Sequence, residues 1–218
     1  MAELIKTGDG SLTVFDPETG DHYHSVHGAI QESQFIYTGC GLDYFNRDSL
    51  AIFEAGLGTG LNALLSCIRS SDTGMKLTYT AMEKYPLGIE ITNKLNYAEI
   101  LKGDAGKIFD AIHSCPWETP SAITEQFTLL KIRGDLVTDT LTGLYDLIYF
   151  DAFGPDKQPE MWTDKVFRKI SGITESGSVL VTYSVKGDVK RILRSYGFKV
   201  SLLPGPPGKR QILRAIKI

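Results

Sequence analysis

A glycine turn held between an apolar strand and an apolar helix, IFEAGLGTGLNALL at residues 52–65, constrains the fold of this chain more than any other stretch. Glycine tolerates positive φ and lets backbone approach a ligand closely, while the N–H groups at the start of the following helix point at whatever lies above the turn. Gly56, Gly58 and Gly60 occupy such positions. A dinucleotide fingerprint needs its third glycine one place later, where Leu61 stands, which disfavours a nicotinamide dehydrogenase. The E-x-G-x-G-x-G string that begins at Glu54 is the arrangement of S-adenosylmethionine sites.

The rest of the chain reads as an α/β core around this turn. Strands are expected at Ala51–Glu54, Leu77–Glu83, Phe127–Ile132, Tyr145–Asp151, Ser178–Ser184, Lys199–Leu203 and Gln211–Ile216, with helical patterns between the first six. Runs that are apolar on both faces, such as YDLIYF and SVLVTY, belong in a mostly parallel sheet covered on both sides. Only LPGPPGKR separates the last two strands, too little for a crossover helix, so they should close the sheet as an antiparallel hairpin. This predicts a Rossmann-like, seven-stranded class I methyltransferase fold. Residues 1–48, with short β-like stretches (LTVF, QFIYTG), read as an appendage packing on a 49–218 methyltransferase domain, and the stretch from His113 to Thr124 reads as a loop insertion.

At 218 residues and 42% hydrophobic content, the chain can bury one sizeable core. No apolar run approaches the ~18 residues of a membrane helix, and MAELIKTGDG has no signal-type apolar stretch, so a cytoplasmic location is expected. Cys40, Cys67 and Cys115 are an odd set without CxxC, pointing to reduced thiols rather than disulfides or a cysteine zinc site. His22, His24 and His27 lack carboxylates at ligand spacing, so no metal is expected; Tyr23, Glu32 and Ser33 in the same segment are candidates to line the cofactor pocket instead. Charge is uneven: residues 1–150 carry 10 Lys and Arg against 20 Asp and Glu, whereas residues 151–218 carry 13 against 6. A polyanion surface is therefore sought in the last third, with Lys186, Lys190, Arg191 and Arg194 on one helix and Lys209 and Arg210 in the hairpin.

Three carboxylates carry the chemistry. Glu83 ends the second strand 23 residues after Gly60, where two acceptor oxygens suit a ribose diol. Asp135, after the third strand in KIRGDL, can accept from an adenine amino group or cap a turn. Asp151 ends the fourth strand in YFDAFGPDKQPEMW, at the crevice where open α/β sheets bind ligands, and can take a proton from an amine or orient it. Phe153, Trp162 and Tyr183 could wall a pocket for a flat base, or simply pack.

These strings, from YHSVHGAIQES through FEAGLGTGLN, MEKYPL and FDAFGPDKQPEMWT to GSVLVTYS and GFKVSLLPGPPGKRQIL, resemble the methyltransferase domain of the MnmC family of tRNA 5-methylaminomethyl-2-thiouridine biosynthesis enzymes. The resemblance implies S-adenosylmethionine held by Glu54, Gly56, Gly58, Gly60, Glu83 and Asp135, Asp151 as the catalytic carboxylate, and methylation of the aminomethyl group on the wobble uridine of tRNA. No FAD-dependent oxidase domain follows here, so the chain looks like a stand-alone form, with a separate oxidase or another source of the aminomethyl precursor as a partner. The competing readings are a polyamine aminopropyltransferase or small-amine methyltransferase, which also pair a glycine turn with strand-end carboxylates, and a non-catalytic nucleotide- or RNA-binding module.

Overall fold

Strands with no polar face must lie inside a covered sheet, and Leu147–Phe150 and Val179–Thr182 are buried at every residue. The computed structural model, which describes residues 3–218, shows how the chain covers them. β1 (Glu3–Lys6), β2 (Leu12–Asp16) and β3 (Asp21–His22) form a small antiparallel sheet; α1 (Ala29–Ser33) follows and runs into a π-helical stretch at Gln34–Gly39. Then come β4 (Ser49–Ala55), α2 (Leu61–Thr73), β5 (Lys76–Glu83), α3 (Ile89–Thr92), α4 (Tyr97–Leu101), α5 (Ala105–Ser114), β6 (Ser121–Ala122) and β7 (Phe127–Arg133). The chain ends with β8 (Leu147–Phe150), α6 (Asp164–Gly172), β9 (Val179–Thr182), α7 (Gly187–Ser195), β10 (Phe198–Pro204) and β11 (Gln211–Lys217).

The main sheet has the order β10-β11-β9-β8-β4-β5-β7-β6. Pairing is parallel from β9 through β7, and antiparallel where β11 joins β9 and β10. Side chains divide between its faces with the two-residue period of a strand. Ile52, Tyr79, Leu147 and Tyr149 enter one apolar cluster with α2, α5 and the N-terminal residues Val14, Ile36 and Tyr37. Phe53, Ile148 and Phe150 enter the other with Val166, Phe167 and Ile170 of α6 and Val189 and Leu193 of α7. In α5 the buried positions Ala105, Ile108, Phe109 and Ile112 repeat at three and four residues, one helical face against the sheet. Fully burying a Leu, Ile or Phe side chain contributes roughly 1.5–3 kcal/mol, so these two layers dominate cohesion.

Three expectations are corrected. The sheet has eight strands rather than seven, because the segment read as an insertion places Ser121 and Ala122 antiparallel on β7 and satisfies part of that edge. No helix lies between β7 and β8: the 13 intervening residues cross over as turns around Asp135–Asp139, with Thr138 and Asp139 N–H groups both donating to the Asp135 carbonyl. QFIYTG is π-helical, with the Cys40 N–H donating to the Phe35 carbonyl five residues back, because burial of Ile36, Tyr37 and Thr38 overrides the β preference of its aromatic residues. Among the described residues, no helix is long and apolar enough to cross a membrane.

Candidate active site

From β4 the chain proceeds to β5 and β7 on one side, then returns to β8 and β9 on the other, so the carboxyl ends of β4 and β8 flank a switch point. A cavity of about 790 Å³ opens there. The glycine turn forms its floor, with Gly56 at φ 92°, Gly58 at φ 52° and Gly60 at φ 77°. A Cβ on Gly58 would stand 3.0 Å from Tyr23 Cδ1, so the close packing of β3's neighbour on the turn requires glycine. Gly56 and Gly58 line the cavity; Gly60 lies behind them and starts α2.

Glu83 ties two loops together. Its Oε2 accepts from the Gly58 N–H at 3.0 Å and its Oε1 from the Tyr85 N–H at 2.9 Å. Each oxygen keeps a lone pair for a ligand. Asp135 also lines the cavity, but its oxygens are engaged by Lys84 Nζ at 3.0 Å and the Val137 N–H at 2.8 Å. Burial pushes this carboxyl up, yet the Lys84 and Val137 contacts outweigh it and hold Asp135 below the usual carboxylate range. The loop it caps is pinned from α6: Lys169 Nζ donates to the Leu136, Val137 and Asp139 carbonyls at 2.9, 2.9 and 2.6 Å. Because Leu136 and Val137 are cavity wall, Lys169→Met should weaken binding of S-adenosylmethionine about 5- to 10-fold, the worth of one or two hydrogen bonds. Calorimetric titration checks this, and affinity within twofold of the original would show that the loop holds itself.

Asp151 stands at the end of β8, half-buried in the cavity wall. The Tyr37 hydroxyl donates to its Oδ1 at 2.5 Å and Asn62 Nδ2 to its Oδ2 at 2.7 Å. Burial raises the carboxyl; Tyr37, Asn62 and Lys209 counter this, Glu32 adds to it, and the balance is about 6. Glu32 lines the cavity from α1, its Oε2 accepting from the Ser25 N–H at 2.8 Å. Its Oε1 pairs with Lys209 Nζ at 3.0 Å without hydrogen-bond alignment, and the same ammonium lies 4.9 Å from the Tyr183 ring centre. Phe153 meets Tyr23 edge-on at 5.0 Å on the cavity wall, and Tyr183, donating to the Ala152 carbonyl, completes it.

Other sequence candidates lie elsewhere. Glu54 is fully buried behind the turn, where Asn62 Nδ2 donates to its Oε1 at 2.9 Å, and it does not reach the cavity. Trp162 packs against the stacked pair Phe150 and Phe167 with its indole N–H on the Phe153 carbonyl, a core residue that braces the loop. Ser33 is buried and also off the cavity. His24 Nε2 lies 2.7 Å from Thr59 Oγ1, and burial pulls its ring down to about 4, which keeps it neutral in a structural role.

The basic residues do not form one surface. The β10–β11 turn brings Lys209 to the cavity wall, since β11 pairs Leu213 with Thr182 at the end of β9, and Arg210 follows it in the turn. α7 runs away from that wall: the Tyr196 carbonyl just past the helix accepts from Lys217, whose neighbour Ile216 pairs with the start of β9, so Arg194 is far from the cavity. Lys190 and Arg191 lie between, Arg191 paired with Asp188, and Lys186 is tied to Asp156.

Tyr37 and Asn62 were missed by sequence reasoning. Asn62 left a signal as a polar residue inside the apolar start of α2, while Tyr37 left none within a stretch that reads as a strand.

Residues 118–218 match the model of a family described as S-adenosyl-L-methionine-dependent methyltransferase. Across 97% of its length the chain is 32% identical to the tRNA 5-methylaminomethyl-2-thiouridine biosynthesis bifunctional protein MnmC of Cupriavidus metallidurans, and across 94% it is 29% identical to that of Magnetococcus marinus. The chain is similar over nearly its whole length to one part of these MnmC proteins, and its C-terminal portion matches the S-adenosyl-L-methionine-dependent methyltransferase family model. It spans about a third of the length of these curated relatives, 33% and 32%. The crystal structure of MNMC2 from Aquifex aeolicus superposes with a TM-score of 0.78 at 24% identity, covering 99% of this chain and 70% of that one, and shows the same fold.

The cofactor of this methyltransferase is S-adenosylmethionine, and the cavity fits it. Gly56 and Gly58 hold positive φ and a side chain at Gly58 would crowd Tyr23, leaving a cradle of bare backbone. Eight carboxylates and three lysines line the cavity, a donor set that suits a ligand bearing a sulfonium and an ammonium.

Proposed function

We propose that this methyltransferase methylates the exocyclic amine of 5-aminomethyluridine, with or without a 2-thio group, at the wobble position of tRNA. The observation that carries the reading is Asp151, a half-buried carboxylate facing the cavity beside the glycine turn, with one hydrogen-bond donor on each oxygen. When bound, S-adenosylmethionine supplies an electrophilic methyl group on a positively charged sulfur. An alkyl amine is mostly protonated in neutral water and then has no lone pair to offer. Asp151 accepts one proton from the ammonium, orients the freed nitrogen and passes the proton on to solvent. Tyr23, Phe153 and Tyr183 exclude water around the amine, which favours its neutral form.

Glu83 and the glycine turn serve the cofactor, with Asp135 at the adenine end. Lys209 and Arg210 of the hairpin contact phosphates of the anticodon arm, and the uridine is extruded into the pocket. The names of the relatives support the tRNA substrate, which in this reading places the enzyme in the cytoplasm beside a separate FAD-dependent oxidase or another source of the aminomethyl precursor.

The test is to incubate the protein with methyl-labelled S-adenosylmethionine and tRNA bearing aminomethyluridine, then to identify the labelled nucleoside by mass spectrometry. Label on the exocyclic amine is expected. Cofactor binding with label only on added small amines would assign the acid-lined cavity to free polyamines, and binding with no transfer at all would favour a non-catalytic module.

A further inference from the structure

We propose that Tyr37 and Asn62 are positioning residues that clamp the Asp151 carboxylate from both sides, leaving one lone pair of each oxygen directed at the acceptor and keeping the group charged. The inference rests on the reading of Asp151 as the proton acceptor. Its basis is geometric. Tyr37 is 2% exposed, its ring packs on Tyr149 at 5.1 Å, and its hydroxyl reaches across to Asp151, 114 residues away in sequence. The π-helical stretch places it there, an irregularity that recurs at functional sites. Gly41 makes the placement possible, because a Cβ at that position would fall 2.4 Å from the Tyr37 carbonyl oxygen and 3.1 Å from the Tyr149 ring.

Asn62 completes the clamp from α2. It spends both amide hydrogens on carboxylates, Asp151 Oδ2 and Glu54 Oε1. Glu54 is wholly buried, its Oε2 has no hydrogen-bond partner, and burial pushes its carboxyl well above the usual carboxylate range. Asn62 is therefore anchored to the buried Glu54 carboxyl of β4 with one amide hydrogen while the other holds Asp151 at the cavity wall. The charged and titratable groups facing Asp151 are Glu32 from α1, Tyr37, Glu54 from β4, Tyr79 from β5, Tyr183 after β9 and Lys209 from the hairpin. Lys209 is the one cation among them, and it is already paired with Glu32, so hydrogen bonding from Tyr37 and Asn62 must do most of the work of keeping Asp151 ionised.

Carbon-13 titration of the Asp151 carboxyl in the cofactor-free protein, assigned with Asp151→Asn, tests the clamp directly. Tyr37→Phe keeps the ring and removes the donor; Asn62→Leu is the second variant. Each is expected to move the midpoint from near 6 upward by about one pH unit, with the acid limb of single-turnover methyl transfer moving in step and cofactor affinity unchanged. A midpoint that stays put in Tyr37→Phe while the rate falls equally at every pH would overturn the clamp. A wild-type rate with no acid limb, despite a normal carboxyl titration, would instead overturn the proton-acceptor reading.

Discussion

Asp151→Asn should lower methyl transfer by about 10²- to 10⁴-fold, the range for loss of a positioned general base, and leave S-adenosylmethionine affinity within a few-fold. The amide keeps the size of the carboxyl and can still accept from Tyr37, but it cannot take the proton that must leave the acceptor. It also cannot accept from Asn62 with its own NH₂ group, so the neighbouring hydrogen bonds rearrange rather than the cavity. Stability should respond in the opposite sense to activity. The folded carboxyl titrates near 6, above its ordinary value near 4, so the native state holds this proton more tightly than the unfolded chain. Wild-type stability therefore loses a contribution as pH rises from about 4 through about 6, and the variant, with nothing to titrate there, gains relative to it across that window. Thermal melts at pH 4 and pH 8 alongside single-turnover assays measure both effects. If cofactor binding collapses instead, Asp151 belongs to the cofactor site, and if turnover survives, another group takes the proton.

Glu83→Ala carries the second large effect, a loss of S-adenosylmethionine affinity of about 100-fold or more. Truncation leaves the Gly58 and Tyr85 N–H groups without their acceptor, and the proposed ribose contacts vanish with it. Roughly 1 kcal/mol for each of two hydrogen bonds, with more for those to a charged group, reaches that figure. Glu83→Gln can still accept through its carbonyl oxygen and should fall between. Calorimetry on the three proteins decides: equal affinities would show that the turn is rigid without the carboxylate and that Glu83 does not touch the ligand.

The parts of this site readable in the sequence are those whose position follows from a local rule. A glycine turn follows a strand, Glu83 and Asp151 end strands, and parallel strands end on one edge of a sheet, so these groups meet at the switch point whatever the details of packing. The methyltransferase fold was legible for the same reason, since fully apolar strands and a closing hairpin admit few arrangements. The eighth strand was not: two residues carry no period, and only the exposed edge of β7 makes Ser121 and Ala122 a strand.

Tertiary structure decided everything that depends on contacts between distant segments. Glu54 belongs to the motif yet points away from the cavity, because the two-residue period puts it on the α2 side of β4, where Asn62 meets it. Charge density marked α7 as a polyanion surface, but the helix runs from one edge of the sheet to the other and carries Arg194 away, while Lys209 turns inward to Glu32. Tyr37 reaches Asp151 only because a π-helical stretch and Gly41 turn the N-terminal segment onto the carboxyl end of β8. Local patterns of apolarity and glycine dictate elements and their order. Which side chain completes a carboxylate's hydrogen bonds depends on where residues far apart in sequence come to lie, and no local pattern encodes that.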